Sequence, residues 1–92
     1  MNRFQKGMIV KNKAGRDGEH IYIVLKTDEQ FVYVVDGDKR TLQKPKRKNP
    51  RHLQQTGKIA DIIINEASKD ITSENAKIKK EIKRIQTEVV DV

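Results

Sequence analysis

The sequence predicts a mainly β fold with C-terminal helices: a small antiparallel barrel or rolled sheet over residues 1–55, followed by two α-helices within residues 56–92. Three observations carry this. Short runs dense in β-branched and aromatic residues are separated by turn chemistry through the first half of the chain. Isoleucines recur at three- and four-residue intervals through the second half. Val, Ile, Leu and Phe make up 24 of the 92 residues, above the roughly 20% below which a highly charged chain usually stays disordered.

In chain order, Gly7, Met8, Ile9 and Val10 open a short strand, and residues 11–18 form a turn-rich loop with Gly15 and Gly18. Residues 20–26 and 31–35 read as the two central strands, joined by the polar connection Thr27, Asp28, Glu29, Gln30. Asp36-Gly37 follows directly, and that dipeptide favours a tight type I′ hairpin turn leading into a fourth strand through residues 39–42. Residues 51–54 supply a fifth short strand. Closing such a sheet on itself would remove its exposed edges.

Both faces of the central strands are apolar, because Ile21, Ile23 and Leu25 alternate with Tyr22 and Val24, and Phe31, Tyr33 and Val35 with Val32 and Val34. The outer set needs cover. From Thr56 as N-cap, Ile59, Ile62, Ile63 and Ala67 define a first helix. A second helix begins near Thr72 or Ser73, with Ile71, Asn75, Ile78, Ile82, Ile85 and Val89 forming a seam of period 3.5 interrupted by Asn75. This seam either docks on the barrel or pairs with another chain.

A chain of this size buries only about 60 to 65% of the surface its unfolded form exposes. With no Cys, neither a disulfide nor a thiolate zinc cluster can reinforce it, so packing must hold it. No apolar h-region opens the chain, and its longest apolar runs are five residues. These features predict a soluble cytoplasmic protein that takes no membrane partner. The formal net charge is +7. Residues 1–55 hold 13 Lys+Arg against 6 Asp+Glu, and residues 56–92 hold seven of each. The whole excess therefore belongs to the first half. Within residues 39–51, Lys39, Arg40, Lys44, Lys46, Arg47, Lys48 and Arg51 occur with no acid among them. Such a block repels itself unless an anionic partner neutralises it.

Little in the sequence points to catalysis. The only histidines are His20 and His52, and the only serines, Ser68 and Ser73, sit near proposed helix ends. Asp36-Gly37-Asp38 lacks the further ligands of a calcium loop. No cofactor or metal is expected. Lys11, Lys13 and Arg16, interleaved with Asn12 and Gly15, set cations around a backbone that can approach a phosphodiester closely. The spacing of a nucleotide-hydrolysing phosphate loop is absent.

The segment from Gly7 to Gly18, followed by Ile21, Tyr22, Ile23, Val24 and Leu25, resembles the KOW motif, a strand–loop–strand of ribosomal proteins and transcription elongation factors. With Val34 to Arg40, Lys44 to Lys48 and His52-Leu53-Gln54, residues 6–56 look like the small bacterial KOW-domain RNA-binding proteins, which are similar to a large-subunit ribosomal protein family of archaea and eukaryotes. The resemblance implies a small SH3-like β-barrel of the KOW type without catalytic activity, binding RNA, ribosomal RNA above all, with residues 15–17 touching it. One departure is that Gly18 and Glu19 stand where the family has lysine and glycine, so one basic contact is lost.

The expected function is thus non-catalytic binding of structured RNA, with ribosome association. Lys11, Lys13, Gly15 and Arg16 form one phosphate-contacting element, and Lys39, Arg40, Lys44, Lys46, Arg47, Lys48 and Arg51 the other. Only four aromatic residues, Phe4, Tyr22, Phe31 and Tyr33, are present, too few for a single-strand stacking groove once the core takes its share. The alternative is a protein-interaction module whose Ile78-Ile82-Ile85 seam pairs with a partner helix or its own copy. A membrane-surface role for the basic last helix is disfavoured by Glu74, Glu81 and Glu88 on its polar face.

Overall fold

A computed structural model describes residues 3–13 and 20–90, the last three of these by backbone alone. Five antiparallel strands form one sheet: β1 (Met8–Asn12), β2 (Ile21–Thr27), β3 (Val32–Val35), β4 (Lys46–Lys48) and β5 (Leu53–Ile59), in the spatial order β4-β3-β2-β1-β5. A 3-10 turn over Pro50–His52 joins β4 to β5, and one helix, α1 (Ile71–Val90), closes the described chain. The mainly β class fits. The two-helix expectation does not, because residues 56–67 form no helix.

The reason lies in Gly57 and in the register. Gly57 has φ +81°, a left-handed conformation that β-branched neighbours avoid, and it sits in a bulge where β5 advances from Gln55 to Ile59 while β1 advances only from Val10 to Met8. Thr56, the expected N-cap, instead donates its hydroxyl to the Ile9 carbonyl at 2.8 Å. Beyond β5 the isoleucines alternate: Ile62 is half-buried, Ile63 is 85% exposed and Ile64 is buried. That period of two belongs to an extended strap. Ala60 N–H donates to the Gly7 carbonyl at 2.7 Å, continuing the edge.

The expected fourth strand is also displaced. Asp36 is buried, and its Oδ1 accepts from the N–H groups of Asp38 and Arg40, each at 2.8 Å. Leu42 N–H donates to Asn75 Oδ1 at 2.9 Å. Side chains thus take the backbone donors that a ladder through residues 39–42 would need. Of the described residues here only Gly37 has positive φ, so the turn is not the two-residue type I′ hairpin. The edge strand forms later, where Lys46, Arg47 and Lys48 stand opposite Val34, Tyr33 and Val32. Likewise, residues 51–54 divide between the 3-10 turn, capped by Asn49 Oδ1 accepting from Arg51 N–H at 2.9 Å, and the start of β5.

The sheet is rolled, as chain length requires. Lys48 faces Val32, which faces Thr27 at the end of β2, whereas Leu53 faces Asn12, beyond the pair Lys11 and Ile21 at the start of β2. In a flat sheet these corners would lie roughly 28 Å apart, from strand spacings of about 4.8 Å and rises of about 3.3 Å. The five residue steps from Lys48 to Leu53 span at most roughly 17 Å. Rolling brings the corners together, and Lys48 Nζ accordingly lies 5.9 Å from the ring centroid of Tyr22, near the opposite end of β2.

Inside the roll, Phe4, Val10, Tyr22, Val24, Val32, Val34 and Leu53 pack as one cluster. On the outer face, Ile9, Ile21, Ile23, Leu25 and Val35 meet Ile78, Ile82 and Ile85 of α1 and Ile64 of the strap. The isoleucine seam therefore docks on the chain's own sheet. Asp70 caps α1, its Oδ1 accepting from Ser73 N–H at 3.1 Å. Asn75, which breaks the seam, holds the turn after β3, its Nδ2 donating to Gln43 Oε1 at 2.8 Å. Two buried acids of α1 hold the strap: Glu74 Oε1 accepts from Asn65 N–H at 2.8 Å, and Glu81 Oε2 accepts from Asp61 N–H.

Candidate nucleic-acid interface

Pairing of β1 with β5 joins the two basic elements at one corner. Lys11 and Asn12 of β1 pair with Gln54 and Leu53 of β5, and Lys13 N–H donates to the His52 carbonyl at 2.9 Å. The end of the first element thus lies against the residue after Arg51, while Lys48 enters the same corner through the 3-10 turn. Gly15 and Arg16 lie outside the described residues.

The second element is split in four. Lys39 and Arg40 sit on the Asp36 turn, which packs on α1 with Asp38 Oδ1 4.0 Å from Lys79 Nζ. Lys44 lies exposed in the connection that follows. Lys46, Arg47 and Lys48 make up β4, and Arg51 is exposed on the 3-10 turn. Three consecutive cations on an edge strand also oppose strand addition by another sheet. Lys11, Lys13, Lys48 and Arg51 come to this corner, with Lys46 and Arg47 preceding Lys48 on β4. Lys39, Arg40 and Lys44 lie on its α1 side.

Lys6 pairs with Glu66, Lys77 with Glu74, Lys79 with Asp38 and Arg84 with Glu81. Two acids, Asp28 and Asp36, are occupied in turns. Asp28 Oδ1 accepts from Gln30 and Phe31 N–H at 2.8 and 2.7 Å, and Oδ2 accepts from the Tyr33 hydroxyl at 2.9 Å. Those bonds hold the Asp28 carboxyl below the usual range and, through the shared proton, push the Tyr33 phenol up. Burial alone would raise the Asp36 carboxyl, but N–H donation from Arg40 and Asp38 and the His20 ring at 2.9 Å together carry it below its ordinary value.

The aromatic residues divide. Phe4 and Tyr22 are buried in the roll, whereas Phe31 and Tyr33 are half-buried and carry cations: Arg47 Cζ lies 4.6 Å from the Phe31 centroid and Lys26 Nζ 5.3 Å from that of Tyr33. Lys26 is absent from the sequence-derived site. The irregularity of the β2–β3 register between Val24 and Lys26 sets it opposite Tyr33, which spacing alone does not reveal.

Among the described residues, no three His, Asp or Glu side chains gather to hold a metal ion, and no helix is long and apolar enough to cross a membrane. A small cleft between the Asp36 turn and α1, lined by His20, Asp36, Asp38, Lys79, Ile82 and Lys83, mixes both signs of charge. No protein-family model matches the chain, and no curated protein matches it.

Proposed function

We propose that this chain is a non-catalytic RNA-binding protein of the KOW type that grips the phosphate backbone of structured RNA, ribosomal RNA foremost, with Lys11, Lys13, Lys46, Arg47, Lys48 and Arg51 as one surface. The observation that carries this reading is the corner at which Lys13 is bonded to His52 beside Arg51. There, cations about forty residues apart in sequence come to one corner of the sheet. Phosphates favour such a face because each neutralised charge releases condensed counterions. The resemblance of residues 6–56 to KOW-domain proteins, and the expected loop contact from Gly15 and Arg16, support the same ligand.

Crosslinking in cells tests it. RNA-linked peptides are expected from residues 11–13 and 46–51, joined to paired ribosomal segments. Crosslinks confined to the exposed face of α1, or an absence of RNA adducts, would contradict the proposal.

A further inference from the structure

A row of three side chains crosses the sheet at one level. Lys26 of β2 stands opposite Tyr33 of β3, and Tyr33 stands opposite Arg47 of β4. Tyr33 alternates with Val32 and Val34, which point into the roll, so it faces outward with Val35. Lys26 and Arg47 are exposed and Tyr33 is half-buried.

The Tyr33 ring is held in place. Its hydroxyl donates to Asp28 Oδ2 at 2.9 Å, and Lys26 Nζ sits 5.3 Å from its centroid. The Arg47 guanidinium beside it lies 4.6 Å from the Phe31 ring centroid, so a cationic plane is fixed next to the aromatic one. A surface already ordered loses little conformational entropy on binding.

From this geometry we infer that Lys26, Tyr33 and Arg47 form a platform on which one unpaired nucleobase of the bound RNA stacks, with the two cations meeting the phosphates on either side. The inference rests on the RNA-binding reading and deepens it by naming the element of RNA structure recognised. A base inside a duplex shows its face only to its neighbours. A bulged or splayed-out base can stack on tyrosine or on a guanidinium plane. The cations flank Tyr33 at one strand spacing, about 4.8 Å on each side. Arg47 lies on β4 between Lys46 and Lys48, whose side chains alternate to the strand's other face, so the platform adjoins the phosphate-gripping corner along β4.

The test uses the full chain and two RNAs, a blunt 16-base-pair duplex and the same duplex with a three-nucleotide bulge, with affinities read by fluorescence anisotropy. The wild-type chain is expected to bind the bulged RNA about 5- to 100-fold more tightly, the range of one base–aromatic stack. Tyr33→Leu should abolish the preference while keeping duplex affinity, and Tyr33→Phe should retain it. Equal binding of both RNAs by the wild-type chain overturns the platform and leaves the phosphate reading standing. Failure to bind either RNA at low salt overturns both. Should Tyr33→Leu fail to fold, photocrosslinking of a 5-iodouridine bulge to the wild-type chain decides. An adduct within residues 26–33 or at Arg47 supports the platform, and an adduct only elsewhere overturns it.

Discussion

Lys13 N–H donates to the His52 carbonyl at 2.9 Å, extending the β1–β5 ladder by one pair and setting the first basic element against the end of the second. If the corner is one binding surface, reversing charge on either side of it should have equivalent effects. The pair Arg47→Glu and Lys48→Glu, and separately the pair Lys13→Glu and Arg51→Glu, are each expected to weaken RNA binding uniformly across sequences. Each pair should also lower the salt slope by about two. Loss on one RNA sequence alone would indicate base readout by these residues.

Glycine at position 37 is required by two independent constraints. Its φ is +80°, and a Cβ there would overlap the Asn75 carbonyl oxygen and lie 2.7 Å from the Lys79 backbone nitrogen. Gly57 has φ +81° with nothing near its Cβ position. Gly37→Ala should therefore cost well over about 2 kcal/mol, whereas Gly57→Ala should cost only the left-handed penalty of about 1 to 2 kcal/mol. Urea unfolding of both variants checks the order, and equal losses would show that the turn does not press on α1.

Asn75 separates two readings of the helix by the sign of one mutation. In a coiled-coil seam, replacing a lone Asn with an apolar residue raises stability. Here Asn75 Oδ1 accepts from Leu42 N–H and Nδ2 donates to Gln43. Asn75→Leu should destabilise the chain by about 1 to 3 kcal/mol by stranding those groups. Thermal unfolding reads the sign, and sedimentation at several concentrations should find a monomer.

Acid should loosen the strap. The Asn65 N–H and the Lys77 ammonium hold the Glu74 carboxyl below its ordinary value, and the Arg84 guanidinium and Asp61 N–H do the same for Glu81 against a smaller burial effect. A depressed carboxyl contributes stability that is complete above its unfolded pKa and is lost as pH falls through the lower folded value. Stability should therefore be flat above about pH 5 and decline below about pH 4. Replacing Glu74 and Glu81 with Gln should flatten that decline in denaturation midpoints measured against pH.

Much of the β part was legible because unbroken apolar runs within residues 20–26 and 31–35 report strands buried on both faces, and β2 and β3 fall within a residue or two of those limits. The seam of Ile78, Ile82 and Ile85 was equally plain, since a 20-residue helix repeats its signal. The first helix misled because three adjacent isoleucines satisfy helical and extended spacing alike, and Gly57 was the signal against it. The fourth strand misled because Asp36 captures backbone donors two and four residues on, and Asn75 captures the Leu42 N–H from 33 residues away, a long-range event that local propensity does not register. For the site, charge segregation located the cations, but their convergence depends on the pairing of β1 with β5. The Lys26, Tyr33 and Arg47 row depends on the irregular β2–β3 register and on β4, which the misplaced strand concealed.

The central claim, that several cations of one surface grip phosphates, is tested most directly by titrating the affinity for a structured RNA against monovalent salt. Five or six phosphate contacts give a log–log slope of about −4 to −5. A flat response would contradict the account.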